Sequence, residues 1–151
     1  MNTTRKQVLA VASGGGHWVQ LLRLRPAFEH NDVTYMTTNA DYGKDVASRL
    51  VTIADANLKE KLRLLRMFGE VLLHVVRLRP DVVISTGAAP GFAAIFFGRL
   101  LGARTIWIDS IANSEQLSVS GRFAKRYADV WLTQWAHLAH PDGPEYWGGV
   151  L

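Results

Sequence analysis

The stretch Val8-Leu9-Ala10-Val11-Ala12-Ser13-Gly14-Gly15-Gly16-His17-Trp18 decides the fold. An apolar run of strand type ends in three consecutive glycines, and an amphipathic segment opens directly behind them. That is strand, glycine turn, helix. Glycine lets the backbone of such a turn approach a ligand, because no Cβ stands in the way. The first N–H groups of the following helix then face that ligand and favour negative charge, so phosphate is the expected guest. A plainer alternative is a strand-to-helix turn that needs glycine only for its shape. His17, at the mouth of the helix, adds an imidazole able to move a proton near neutral pH.

Outward from this stretch the pattern repeats. Gln7 to Ala12 is the first strand and His17 to Phe28 the first helix, stopped near Pro26. Val33 to Thr38 is short and β-branched, a second strand, and Asn39 to Lys44 reads as a loop. Leu50 to Ala54 is a third strand. Leu58 to Arg79 is the longest helical pattern and carries two apolar stripes. Leu58, Leu62, Leu65, Leu72 and Val76 form one stripe; Leu64, Met67, Val71, Val75 and Leu78 form the other. A helix lying on a sheet needs one such stripe, so the second calls for a separate cover. Lys59, Lys61, Arg63, Arg66, Arg77 and Arg79 flank it, which suits a membrane interface or a partner; burial between neighbouring elements is the alternative.

Asp81 to Thr86 is almost wholly apolar after Pro80, as a central parallel strand covered on both faces should be. It too ends in a glycine turn, Gly87-Ala88-Ala89-Pro90-Gly91, followed by a helix from Phe92 to Leu101 that Gly102 closes. Arg104 to Asp109 is a strand with an acid at its end, Ser110 to Ser118 a polar loop, Ser120 to Tyr127 a basic helix, and Val130 to Gln134 a last strand. Residues 135–151 carry Pro141, Gly143, Pro144, Gly148 and Gly149 and are expected to be irregular. The alternation predicts an α/β fold: one domain over 1–151, an open, mainly parallel Rossmann-like sheet with helices on both faces. Ligands of such sheets bind outside the carboxyl ends of the strands. Gly14 to His17, Thr86 to Gly91 and Asp109-Ser110 all arrive at that edge.

Composition narrows the function classes. Hydrophobic residues make up 48% and charged residues 20%, ordinary for a globular chain of 151 residues. With no cysteine there is neither a disulfide framework nor a thiolate. Five histidines lack a pair at helical ligand spacing, so no metal and no cofactor is expected. Lys and Arg exceed Asp and Glu by 17 to 13, a net +4, which suits a phosphate-bearing partner or an anionic membrane surface but is too thin for nucleic acid. The N-terminal residues lead straight into the first strand, and the chain is expected to be cytoplasmic without a signal peptide. The dinucleotide fingerprint fails, because Val19 stands where its last glycine belongs and Thr37-Thr38-Asn39 offers no acid for a ribose. Neither a P-loop nor a G-x-S-x-G elbow occurs.

Three segments together carry a resemblance. They are Ser13-Gly14-Gly15-Gly16-His17, Ser85-Thr86-Gly87-Ala88-Ala89-Pro90-Gly91 and Ile106-Trp107-Ile108-Asp109-Ser110, followed by Leu117 to Arg122 and Ala128-Asp129. Their order and spacing resemble the N-terminal half of inverting GT-B glycosyltransferases. They are still more similar to the separately encoded version of that half. This is the oligosaccharide-biosynthesis family that contains the membrane-anchoring subunit of the dolichol-linked N-acetylglucosaminyltransferase, with bacterial relatives in exopolysaccharide and capsule assembly. Gln134-Trp135 and Tyr146-Trp147-Gly148-Gly149 also look like that family.

The resemblance implies a two-chain enzyme. A separately encoded subunit would bind the UDP-sugar; this chain would hold a polyprenyl-diphosphate-linked acceptor and bring the pair to the inner face of the cell membrane. Eukaryotic members carry a membrane helix that is not seen here, so peripheral contact through the Leu58 to Arg79 helix is expected. Asp109 stands where many relatives have Glu. Gly14, Gly15, Gly16, Thr86, Gly87, Ala88, Ser110, Asn113 and Glu115 are the expected substrate contacts. His17 or Asp109 is the expected base for the acceptor hydroxyl. Plainer roles stay open: helix capping or packing for His17, and holding the next loop's N–H groups for Asp109. Gln134, Trp135, Tyr146, Trp147 and Leu151 are the expected partner contacts, aromatic anchors being common at interfaces. A chain that only anchors or activates a partner is the alternative function, and a stand-alone phosphosugar enzyme a more distant one.

Overall fold

The computed structural model describes residues 4–150. Seven strands form one sheet, all neighbours parallel, in the order β3-β2-β1-β4-β5-β6-β7. They are β1 (Gln7–Val11), β2 (Asp32–Thr37), β3 (Arg49–Thr52), β4 (Val82–Ser85), β5 (Arg104–Ile108), β6 (Val130–Thr133) and β7 (Glu145–Tyr146). The helices are α1 (Gly16–Arg23), α2 (Lys61–Leu78), α3 (Ala88–Leu100) and α4 (Val119–Ala124). Parallel crossovers are right-handed, so a step from β1 to β2 and steps in the opposite direction put their helices on opposite faces. α1 therefore lies alone on one face, and α2, α3 and α4 pack side by side on the other.

Side chains alternate across a strand, which explains why the central strands are apolar at nearly every position. Leu9, Val11, Met36, Val83 and Trp107 meet Met67, Val71 and Val75 of α2 and Ala93, Ala94 and Ile95 of α3. Val8, Ala10, Tyr35, Ile84 and Ile108 meet Trp18 and Leu21 of α1, with Phe28 behind them. α3 lies close to the sheet because Gly91 and Gly98 face it; a Cβ at Gly91 would overlap the Ser85 hydroxyl, and one at Gly98 would stand 2.6 Å from Val83 Cγ2.

The two stripes of α2 separate as their spacing implies. Met67, Val71 and Val75 are buried, whereas Leu62 is 84% and Leu65 72% exposed, with Leu58, Leu72 and Val76 also outward. The second stripe faces away from the sheet.

Several boundaries move. The first helix ends at Arg23, and Pro26 sits in a 3₁₀ turn, Arg25–Ala27, whose missing N–H suits a first-turn position. Asn39 to Lys44 is not an open loop: Ala40–Asp45 forms a 3₁₀ turn that Asn39 caps by accepting from Asp41 N–H at 3.0 Å. The third strand is Arg49–Thr52, and α2 starts at Lys61 rather than Leu58. α3 begins at Ala88 instead of Phe92, and Pro90 falls inside its first turn, where no N–H is needed. α4 stops at Ala124, well short of Tyr127. The tail is not wholly irregular: Glu145–Tyr146 pairs with Leu132 and Thr133 on the free edge of β6, and Ala136–Leu138 makes a 3₁₀ turn.

Candidate functional site

β1 and β4 are neighbours, but their outgoing connections leave to opposite faces, so a crevice opens between their carboxyl ends. The two glycine turns meet there. Gly15 precedes α1 with φ 68 and ψ −134, a conformation that disfavours residues with a Cβ. Gly87 precedes α3 with φ 143 and ψ −176, and Ala88 follows at φ 65, left-handed for a residue with a Cβ. Two helix N-termini thus point at one crevice, each presenting the positive end of its dipole.

His17 ties the two turns together. Thr86 Oγ1 donates to the His17 carbonyl at 2.7 Å, and His17 Nδ1 lies 3.1 Å from the Thr86 carbonyl. A carbonyl only accepts, so Nδ1 carries a proton, and in the neutral ring the lone pair is then on Nε2. Gly87 is what makes room: a Cβ there would lie 2.5 Å from both Cε1 and Nδ1 of the ring. On the β2 side, Gly15 N–H donates to Tyr42 Oη at 2.9 Å. Tyr42 stacks on Trp18 at 4.9 Å and 5°, and the Trp18 indole donates to Asp45 Oδ2 at 3.0 Å.

Asp109 is placed differently. It is 1% exposed, and four donors occupy its carboxylate. Trp107 Nε1 at 3.1 Å and Ser118 Oγ at 2.6 Å reach Oδ1; Ser118 N–H at 2.9 Å and Asn113 Nδ2 at 3.2 Å reach Oδ2. Both ends of the 110–118 loop are thereby fastened to the end of β5. Gly121 permits this, because a Cβ there would overlap Oδ1. Ser110 is buried and accepts from Gln20 Nε2 at 3.1 Å and Ala112 N–H at 3.2 Å. Glu115 is exposed on the outer part of the loop.

Gly14 to His17, Thr86 to Ala88 and Asp109-Ser110 accordingly share one edge, linked by His17–Thr86 and Gln20–Ser110 hydrogen bonds. Two participants were not singled out from the sequence. Gln20 lies one turn after His17 on the same helix face, and its Oε1 accepts from Ile111 N–H and Gln134 Nε2; the signal was a buried-face amide in an otherwise apolar stripe. Tyr42 was hidden in a segment read as a plain loop.

The expected partner contacts divide. Gln134 is corrected: it is 5% exposed, donating to the Asp109 carbonyl at 2.9 Å and accepting from Val150 N–H at 2.8 Å. A buried amide must spend its groups internally, so it ties the tail to the site instead of facing outward. Trp135 is half-buried, its indole donating to the Ile111 carbonyl at 2.8 Å. Tyr146 at 46% and Trp147 at 68% are exposed. Leu151 lies outside the described residues.

Burial raises the Tyr35 hydroxyl, partly offset by Arg25. The Ala54 N–H and then Arg66 lower Glu70; burial and the nearby Arg77 and Arg49 lower His74. Among the described residues no group of His, Asp and Glu is arranged to hold a metal ion, and no helix is long and apolar enough to cross a membrane.

Residues 47–151 match a protein-family model described as "Oligosaccharide biosynthesis protein Alg14 like". The match begins beyond Gly14 to His17, which therefore rest on geometry. Over 78 residues the chain is 33% identical to the UDP-N-acetylglucosamine transferase subunit ALG14 of Eremothecium gossypii, an alignment covering 48% of this chain and 35% of that protein. The matched stretch is thus about a third of that relative's length. Among solved structures, MurG of Acinetobacter baumannii superposes with a TM-score of 0.73 at 16% identity, over 95% of this chain and 44% of that one. A putative UDP-N-acetylglucosamine 2-epimerase from Listeria monocytogenes gives 0.67 at 11% identity, over 87% of this chain and 40% of that one. At such identities the likeness concerns the fold, the Rossmann-like parallel sheet of the N-terminal half of a GT-B glycosyltransferase.

Proposed function

The chain belongs to the Alg14-like family of oligosaccharide-biosynthesis proteins, and from that premise we propose that it is one subunit of a two-chain inverting glycosyltransferase. It binds a polyprenyl-diphosphate-linked acceptor and recruits the enzyme to the inner face of the cell membrane. A separately encoded partner supplies the UDP-sugar, in exopolysaccharide or capsule synthesis. One observation carries this reading: two glycine-built helix N-termini share a crevice with a histidine whose tautomer is set by the Thr86 carbonyl.

In that crevice the turns Gly14 to Gly16 and Gly87-Ala88 bind the diphosphate of the acceptor. The acceptor hydroxyl attacks the anomeric carbon of the sugar while the bond to the UDP diphosphate breaks, the leaving group keeping the electron pair. The hydroxyl proton passes to His17 Nε2. Asp109, its oxygens already filled, positions the 110–118 loop. Membrane contact falls to the outward stripe of α2 and the residues just before it, where Leu58, Leu62 and Leu65 stand among Lys59, Lys61, Arg63 and Arg66. Such a combination suits an anionic bilayer surface. Tyr146, on the short edge strand β7, and Trp147 directly after it supply aromatic contacts for the partner.

The test is co-expression with a UDP-sugar-binding half and assay of sugar transfer onto a polyprenyl-diphosphate acceptor. His17→Ala should lower turnover about 10²- to 10⁴-fold, the range for loss of a general base, while the complex still assembles. Unchanged turnover removes His17 from the chemistry. Transfer by the partner alone to a soluble acceptor analogue would instead make this chain an anchor or activator.

A further inference from the structure

Between the N-terminal halves of α2 and α3 and the whole of α4 lies an apolar slot of about 190 Å³, walled by Leu58, Phe68, Ala89, Phe92, Val119 and Phe123. It adjoins a wider depression of about 530 Å³ that shares Leu58, Ala89 and Ser120 with it and adds Asn57, Lys59 and Ala88. Ala88 is the first residue of α3 and follows Gly87, so the depression ends at the anion-binding edge of the crevice. The slot is therefore one end of a continuous track whose other end carries a helix N-terminus and Lys59.

The chemistry changes sharply along this track. At its crevice end, Lys59 and the α3 dipole favour an anion. Deeper in, no charged group lines the slot, and Phe92 stands 6.3 Å from Phe68 and 6.2 Å from Phe123, ring centroid to centroid. Phe123 and Val119 remain largely exposed, which is costly for residues of this size unless something apolar covers them. Leu58 borders both cavities and leads onto the outward stripe of α2 at Leu62 and Leu65. A ligand that complements the whole track has an anionic end, a flexible hydrocarbon behind it, and a continuation towards a bilayer.

We propose that this slot receives the first isoprenoid unit of the lipid-linked diphosphate acceptor, so that the chain recognises the lipid as well as the diphosphate. This rests on the functional reading above and names a lipid subsite within it. Its volume is that of about six water-sized groups, which fits one branched five-carbon unit and leaves the rest of the chain to run along α2.

The experiment is calorimetric titration of the full chain with farnesyl diphosphate, inorganic diphosphate and dodecyl phosphate, below micellar concentrations. Farnesyl diphosphate should bind at least about tenfold more tightly than inorganic diphosphate, the gain expected from burying even two carbon groups. Val119→Trp, which fills the slot, and Phe123→Asp, which charges its mouth, should each bring that ratio close to one and leave inorganic diphosphate binding as it was. A wild-type ratio near one, or a ratio that survives both variants, overturns the proposal. An equal gain with dodecyl phosphate also overturns it, assigning the slot to bilayer acyl chains. Tight farnesyl diphosphate binding without measurable inorganic diphosphate binding would uphold the slot and count instead against the diphosphate cradle.

Discussion

Replacing Asp109 by Asn separates a tether from a base. All four groups around the carboxylate donate to it, and two of them, the Trp107 indole and the Ser118 N–H, can do nothing else. An amide has one oxygen and one NH₂. With NH₂ at the Oδ1 position it faces the indole; at Oδ2 it faces the Ser118 N–H. Either way one buried donor is orphaned, at about 1–3 kcal/mol, and the surviving bonds lose the strength that a charged acceptor gives them. The sum is about 2–4 kcal/mol. For a chain of this size each kcal/mol shifts Tm by about 2–4 °C, so Asp109→Asn should melt roughly 5–15 °C lower. The assay is thermal unfolding followed by near-ultraviolet circular dichroism, with hydrogen exchange expected to show the 110–118 loop losing protection first. A variant that melts like the wild type yet transfers no sugar would refute the reasoning and return Asp109 to the chemistry.

Gly87→Ala should lower both stability and turnover, because φ 143 costs an L-residue about 1–3 kcal/mol and the new Cβ displaces the His17 ring; wild-type transfer rates in this variant would show that the ring need not sit there. Leu62→Ser combined with Leu65→Ser should weaken binding to anionic vesicles about 100-fold or more, each leucine being worth about 1.5–3 kcal/mol when buried in the interface; flotation with such vesicles measures it, and undiminished binding would move the contact off α2. Acid should destabilise the fold in two steps. His74 has a folded pKa below its ordinary 6.5, so the unfolded chain binds more protons and stability falls as pH drops below that value. Glu70, also lowered, adds a loss as pH falls from its ordinary 4.5 through its folded value. Denaturant titrations across this range check both, and His74→Gln should remove the upper step.

The architecture was largely legible because its causes are local. A strand that is apolar at every position must be covered on both faces, and three glycines before an amphipathic run can hardly be anything but a turn into a helix. The two stripes of α2 were visible as spacing, but not which of them meets the sheet. Met67, Val71 and Val75 face inward because β1 and β4 offer them Leu9, Val11 and Val83, and that choice belongs to the partners of the helix. Tail residues 145–146 looked irregular beside so many glycines and prolines; they pair as a strand only because β6 leaves an edge free.

Gly14 to His17, Gly87 and Asp109 could be nominated from residue type and position alone, since backbone conformation, phosphate affinity and strand-end acidity are properties of the short segments that carry them. The surroundings of His17 and Asp109 could not. They consist of what stands opposite each side chain: a single carbonyl that leaves one imidazole nitrogen free, against four donors that leave the carboxylate nothing to offer. The donors to Asp109 lie up to 9 residues away, and Thr86 lies 69 residues from His17. Pairings at that range are fixed by strand order and helix packing, so only the assembled molecule shows which groups each side chain meets.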